Sequence, residues 1–147
     1  MLLIFWTALL DRALFDHGHL WQSLPLWPHM HIAGGFLMLL GSTLRWLAIR
    51  TLGRFFVSHN MICESQPLVQ WGVYRWLRHP SETGLLAVVL GASLLLGSPL
   101  GALLWFWLLL PLVVLRIDLE ERRLRTAFGA EFDHYARRVK RLVPFIC

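Results

Sequence analysis

Apolar residues along this chain gather into long uncharged stretches, and only the last part shows the three-to-four-residue spacing of an amphipathic helix. The longest stretch, 83–115, contains no Asp, Glu, Lys or Arg. Crossing about 30 Å of hydrocarbon takes roughly 20 helical residues, so one crossing cannot use it all. Gly97-Ser98-Pro99 interrupts it where one helix would end and another begin. The pattern predicts a helical hairpin, about 80–97 and 99–117. A second stretch, about 28–49, predicts another span, with Arg45 able to snorkel to the interface. Residues 1–10 are strongly apolar, but Asp11, Arg12 and Asp16 follow at once. They read as a short first span in preference to an interfacial helix. Beyond Ile117, Leu124, Phe128, Phe132, Tyr135, Val139 and Leu142 recur with Arg and Glu between them. This predicts an amphipathic helix, or two broken at Gly129. The expected class is all-α: a polytopic integral membrane protein of about four transmembrane helices, including the hairpin, followed by a C-terminal amphipathic cytosolic helix. One domain is expected, with N-terminal helices in 1–50, a cytosolic connector in 51–79, the hairpin in 80–117 and the amphipathic helix and tail in 118–147.

Composition sharpens this picture. Of 147 residues, 56% are apolar and 16% charged, against about 45–50% and 25% in soluble domains. That excludes a disordered chain and argues against a small soluble enzyme. Lys and Arg outnumber Asp and Glu 14 to 9, for a net charge of +5. All but Arg12 fall in 45–78 and 116–141, beside apolar stretches. Such clustering follows the positive-inside rule and not a nucleic-acid-binding stripe. Both basic blocks are therefore expected in the cytosol, with 11–28 and the 98–99 turn outside and both termini inside. Cys63 and Cys147 have no metal-site spacing and read as unrelated thiols. The start of the chain lacks the basic region of a signal peptide. Gly84, Ala87 and Gly91 share one helix face, and Gly34 and Gly41 another, which predicts close helix packing. Pro111 should kink the last span and free a carbonyl one turn earlier.

Two segments carry candidate chemistry. The first is Gly72-Val73-Tyr74-Arg75-Trp76-Leu77-Arg78-His79-Pro80-Ser81-Glu82-Thr83-Gly84. Pro80 biases His79 away from the helical region and suits the first helical position. A span starting there would present free N–H groups to an anion such as a carboxylate. The same aromatic and basic residues also fit an interfacial anchor. The second segment is Arg116-Ile117-Asp118-Leu119-Glu120-Glu121. Ionisable residues at the inner edge of a helix bundle are functional candidates. Their carboxylates suit a ribose diol or a cationic ligand, and Arg116 an anionic one. The alternative is a solvated run with helix pairs of Glu120 with Arg123 and Glu121 with Arg125. His17/His19 and His29/His31 lack companion ligands, and no metal site is expected. Dinucleotide fingerprints, phosphate loops and serine elbows are absent from the sequence.

Together, Gly72-Val73-Tyr74-Arg75, Arg78-His79-Pro80-Ser81 and Gly84 resemble the signature of the isoprenylcysteine carboxyl methyltransferase family. So does the tail, with Glu120-Glu121, Leu124, Phe128-Gly129, Glu131-Phe132, Tyr135, Arg138-Val139 and Val143-Pro144-Phe145-Ile146. Upstream, Leu52-Gly53-Arg54-Phe55-Phe56 fits bacterial members. The likeness covers about 40–146. It implies an integral-membrane methyltransferase (in the inner membrane if bacterial) that uses S-adenosylmethionine in a cytosolic pocket. A lipophilic or small-molecule acceptor would reach that pocket from the bilayer. By position, Val73, Tyr74, Leu77 and His79 would hold the cofactor, with Glu120 or Glu121 on its polar groups. Arg78 and Arg116 would orient an acceptor carboxylate, with Arg138 as a helper. Glu82 stands where the family usually has tyrosine, two residues after the proline. It adds negative charge beside a carboxylate site, which an amine or thiol acceptor would tolerate better. The implied chemistry is a direct in-line displacement at the methyl carbon. A carboxylate acceptor needs no base, whereas a protonated amine or a thiol does.

Two other classes remain open from sequence. One is an NADPH-dependent membrane reductase of sterol or another lipid, which calls for more spans and a longer cofactor pocket. The other is a non-catalytic membrane scaffold.

Overall fold

The computed structural model describes residues 27–53 and 67–142. The expected first span, His17/His19, both cysteines, the 54–56 portion of the upstream motif and the 143–146 motif lie outside them. Every regular element among the described residues is helical. In chain order these are α1 (Trp27–Leu52), a 3₁₀ turn (Gly72–Arg75), α2 (Pro80–Leu95), α3 (Pro99–Leu104), a π turn (Trp105–Leu109), α4 (Leu110–Phe128) and α5 (Ala130–Arg138). The only pairing of β type among the described residues is a parallel bridge between Leu77 and Lys140. The chain divides into two compact units, Met1–Ser42 with Leu85–Leu112 and Thr43–Gly84 with Val113–Cys147.

In the first unit, α1 and α2 meet backbone to backbone. A Cβ added at Gly34 would lie 2.7 Å from Gly91 O, and one at Gly91 would lie 2.6 Å from Gly34 O. Gly34 and Gly91, one from each small-residue face expected from sequence, therefore serve packing, since only glycine lets the two main chains come this close. His31 Nδ1 lies 2.7 Å from Leu95 O. Trp105 donates its indole N–H to Leu86 O at 2.8 Å, satisfying the ring's one polar atom in an apolar setting. Ser98 caps α3 by accepting from Gly101 N at 3.0 Å, with Pro99 at the helix start. At Pro111 the turn upstream departs from regular α geometry. Its ring would clash with the carbonyl four residues back, and the preceding turn widens to π geometry, Leu110 N–H donating to Trp105 O five residues back.

Two helical stretches, His29–Leu52 and Leu100–Phe128, are long and apolar enough to cross a membrane; Pro80–Leu95 is apolar but shorter. Only 17% of the apolar window of either long stretch is buried, which no core helix of a soluble protein would show. Ile32, Phe36 and Trp107 are each more than half exposed, an arrangement suited to hydrocarbon surroundings.

The boundary expected at 117 is absent. Helix α4 continues without a break to Phe128, because Leu, Glu and Arg after Ile117 are good helix formers. The change of pattern there marks a change of surroundings, not a helix end. The helix stops at Gly129, whose φ of +51° is costly for any other residue, and α5 follows. Acidic Glu131 and Asp133 open α5 and Arg137 and Arg138 close it, complementing its dipole. Its inner face, Phe132 and Tyr135, packs with Val139 against Leu68, Leu124 and Phe128. A fully buried Phe of this kind contributes about 1.5–3 kcal/mol.

Candidate functional site

All the candidate chemistry lies in the second unit. Pro80 starts α2, so the two residues before it leave the helical path. Their amides are taken up by the residues that follow α5. Arg78 N–H donates to Lys140 O at 2.8 Å and His79 N–H to Arg141 O at 3.1 Å. Thr83 adds a hydroxyl bond to Leu142 O at 2.8 Å. Residues 140–142 thus run beside the start of α2, and that course carries the Arg141 side chain to α4.

There it meets Glu121, which is 1% exposed. One Glu121 oxygen accepts from Arg78 Nη1 at 2.6 Å and faces His79 Nε2 at 3.3 Å. The other accepts from Arg141 Nε at 3.2 Å and Nη2 at 2.7 Å. Arg141 also reaches Asp118 at 3.0 Å, so two guanidiniums face two carboxylates. Glu121 lies beyond the uncharged stretch, on the polar continuation of α4. Burial by itself would raise its pKa. Hydrogen bonds from His79 and Arg141, with the charges of Arg78 and Arg141, outweigh burial and hold it down at about 2. Burial acts the other way on Arg78, lowering its pKa, with the Glu121 charge opposing the shift. Hydrogen bonding to Glu121 raises that of Arg141. Removing one partner from such a buried group costs about 3–5 kcal/mol. The expected pairs of Glu120 with Arg123 and Glu121 with Arg125 do not form; Arg125 pairs with Asp133 at 3.2 Å instead.

Beside this network is an open cleft. One wall is Leu52 with Pro67, Leu68 and Val69; another is Leu124, Phe128, Phe132 and Tyr135 of α4 and α5. Tyr74, Arg78, His79 and Glu120 supply its polar groups. His79 Nδ1 lies 3.9 Å from Glu120 Oε2, and Glu120 is partly exposed. Tyr135 donates its hydroxyl to Tyr74 O at 2.7 Å, tying α5 to the 3₁₀ turn. Burial, the largest effect on both phenols, pushes their pKa values up, so they stay protonated. Arg78 Nε is buried with no partner among the described residues.

Of the residues singled out from sequence, the structure brings Tyr74, Arg78, His79 and Glu120 to the cleft. Leu77 is buried in the bridge to Lys140, and Val73 O accepts the amides of Trp76 and Leu77. Glu121 is enclosed in the ion network. Glu82 and Arg116 form a separate pair, 3.7 Å apart. Arg138 Nη2 reaches Gln70 Oε1 at 3.5 Å. The anchor reading fits the exposed part of the first segment: Trp71 and Trp76 lie outward, with Arg75 stacked 5.4 Å from the Trp76 ring. Sequence reasoning passed over Arg141 altogether. The Phe128, Phe132 and Tyr135 face of the expected amphipathic helix lines the cleft.

A family model described as phospholipid methyltransferase matches residues 29–131. The chain belongs to the phospholipid methyltransferase family. It is 35% identical over 115 residues to the probable protein-S-isoprenylcysteine O-methyltransferase of Oryza sativa subsp. indica, covering 77% of this chain and 60% of the relative. It is 36% identical over 118 residues to the protein-S-isoprenylcysteine O-methyltransferase of Saccharomyces cerevisiae, covering 78% and 49%. Against that of Homo sapiens it is 30% identical over 128 residues, covering 86% and 45%. A solved structure, the eukaryotic intramembrane Ras methyltransferase (isoprenylcysteine carboxyl methyltransferase), superposes with a TM-score of 0.71 at 27% identity, covering 95% of this chain and 51% of that one. The family likeness expected from the motifs is met. The chain spans about half to three-fifths of the length of these relatives.

Proposed function

We propose that this chain is an integral-membrane, S-adenosylmethionine-dependent methyltransferase whose cofactor site is the cleft of Tyr74, Arg78, His79 and Glu120. The reading rests on one observation above all. Residues from the 3₁₀ turn, the start of α2, α4 and α5 converge there, and together they suit a nucleoside bearing an amino acid. Phe128, Phe132 and Leu124 give an apolar wall for a purine ring. Glu120, partly exposed, can accept from a ribose diol or an ammonium group. Arg78 offers a buried guanidinium whose Nε lacks a partner, matched to a carboxylate. Bound there, S-adenosylmethionine would supply a methyl group on a sulfonium, primed for transfer to a nucleophile. The chain's own task is to orient that group and keep water away from it. Glu121 does not bind the cofactor in this reading; it holds Arg78 and His79 in place. The methyltransferase names of the family members support the activity, and the lipophilic acceptor follows from the apolar, outward-facing helices. By the positive-inside rule the cleft faces the cytosol, beside Arg75, Arg78 and the arginines of α4 and α5.

Calorimetric titration of detergent-solubilised protein tests the reading. S-adenosylmethionine should bind, and His79→Ala and Glu120→Gln should each weaken it at least about ten-fold, roughly 1.4 kcal/mol. Binding of NADPH in its place would favour a reductase, and binding of neither a scaffold.

A further inference from the structure

Glu82 is the other ionisable group whose hydrogen bonding is incomplete. Its side chain is 7% exposed. One oxygen lies 3.7 Å from Arg116 Nη2, too far for a hydrogen bond. The other oxygen is buried with no partner among the described residues. An unsatisfied buried carboxylate oxygen is costly enough to need an explanation. Helix register says where it stands. Glu82 is three residues after His79 at the start of α2, and Arg116 is four residues before Glu120 on α4. Positions so spaced are neighbours along one helix face. The Glu82 and Arg116 pair therefore sits one turn, about 5.4 Å, beyond the His79 and Glu120 pair on both helices. That turn lies toward the uncharged stretches, 83–115, that follow Glu82 and precede Arg116.

We propose that Glu82 determines which acceptor head group the site holds: its unpartnered oxygen receives an N–H from that head group, selecting an amine over a carboxylate. The proposal rests on the methyltransferase reading above. An amine completes the hydrogen bonding of Glu82 and leaves Arg116 where it is. A carboxylate would have to draw Arg116 away, because Arg45, the nearby cation, already donates to Ser81 O at 3.2 Å. It would thereby strand Glu82 buried and unpaired, a costly outcome. Half-exposed Arg116 leaves the pair open on its own side.

The test is a direct binding comparison on the full chain in uncharged detergent. Dodecylamine and dodecanoate are titrated at neutral pH, with and without S-adenosylmethionine, and S-adenosylmethionine binding is measured alone. The wild type should hold the amine at least ten-fold more tightly than the carboxylate. The protein's net charge of +5 favours the carboxylate, so bulk attraction cannot produce that order. Glu82→Gln, close in shape, should erase the preference while cofactor affinity stays unchanged. Equal or inverted affinities in the wild type overturn the proposal without any variant, and so does an amine preference that survives Glu82→Gln. Should Glu82→Gln fail to fold, Glu82→Tyr is measured in its place against the same criterion. Loss of cofactor binding by the wild type would instead overturn the methyltransferase reading. A further arm with short propylamine separates a lipid-borne amine, which needs the alkyl chain, from a soluble one, which does not.

Discussion

Around Gly34 and Gly91 two helices meet through backbone atoms, Met38 and Leu94, whereas around Glu121 three segments meet through two guanidiniums, an imidazole and a carboxylate. The first contact depends on volume alone. It suits hydrocarbon, where apolar helices gain little by hiding from lipid and must instead fit closely. The second depends on charge and on proton positions, and it borders the cleft where chemistry is proposed. One contact secures packing; the other places functional side chains. Perturbations should therefore separate the two regions by what they change.

The largest effect is expected at Glu121. Replacement by alanine strands buried Arg78 and leaves Arg141 only Asp118; it should cost about 3–5 kcal/mol, read as a fall in thermal midpoint in detergent, together with loss of cofactor binding. An unchanged midpoint would show that the network holds nothing in place. Gly91→Ala comes next. Its Cβ would lie 2.6 Å from Gly34 O and 2.8 Å from Met38 N, both backbone atoms with little room to yield. Overpacking of this kind costs about 1–3 kcal/mol, and the protein that remains folded should bind cofactor as before. Loss of affinity in parallel with stability would erase the distinction between the regions. A milder change is Tyr135→Phe, which removes the hydroxyl bond to Tyr74 O and should cost about 0.5–1.5 kcal/mol. Its mark would be a weaker cofactor site, seen by titration, with little loss of helix content.

Acid is the gentlest probe. The folded pKa of Glu121 is depressed to about 2, so the unfolded chain takes up its proton first as pH falls. The contribution of Glu121 is thus complete above the ordinary carboxylate range and drains away between that range and about 2. Denaturation midpoints taken from pH 6 down to 3 should drop more steeply for the wild type than for Glu121→Gln. The glycine contact has no proton to gain, and Gly91→Ala should keep the wild-type slope.

Much of this was legible in the chain. The uncharged stretches announced helices, Gly97-Ser98-Pro99 their interruption, and the Arg-His-Pro segment a helix start. Which glutamate of the pair turns inward was not read, although the signal was present. Val113, Ile117 and Glu121 recur every four residues and are the buried residues of α4. A helix drawn to end at 117 hides that continuity and leaves Glu120 and Glu121 equivalent. Arg141 escaped notice for a different reason. Its partner lies 20 residues away, and only the course of 140–142 beside Arg78 and His79 brings the two together. No local periodicity encodes such a meeting.

That course has a bearing on biosynthesis. The strip that clasps the Arg-His-Pro segment follows α4 and α5 in the chain, so it is synthesised after the helices it joins. A nascent chain halted before Lys140 would insert its helices yet leave Arg78 and Glu121 without their final clasp. A chain ending before Lys140 is therefore expected to be inert before it is visibly misfolded.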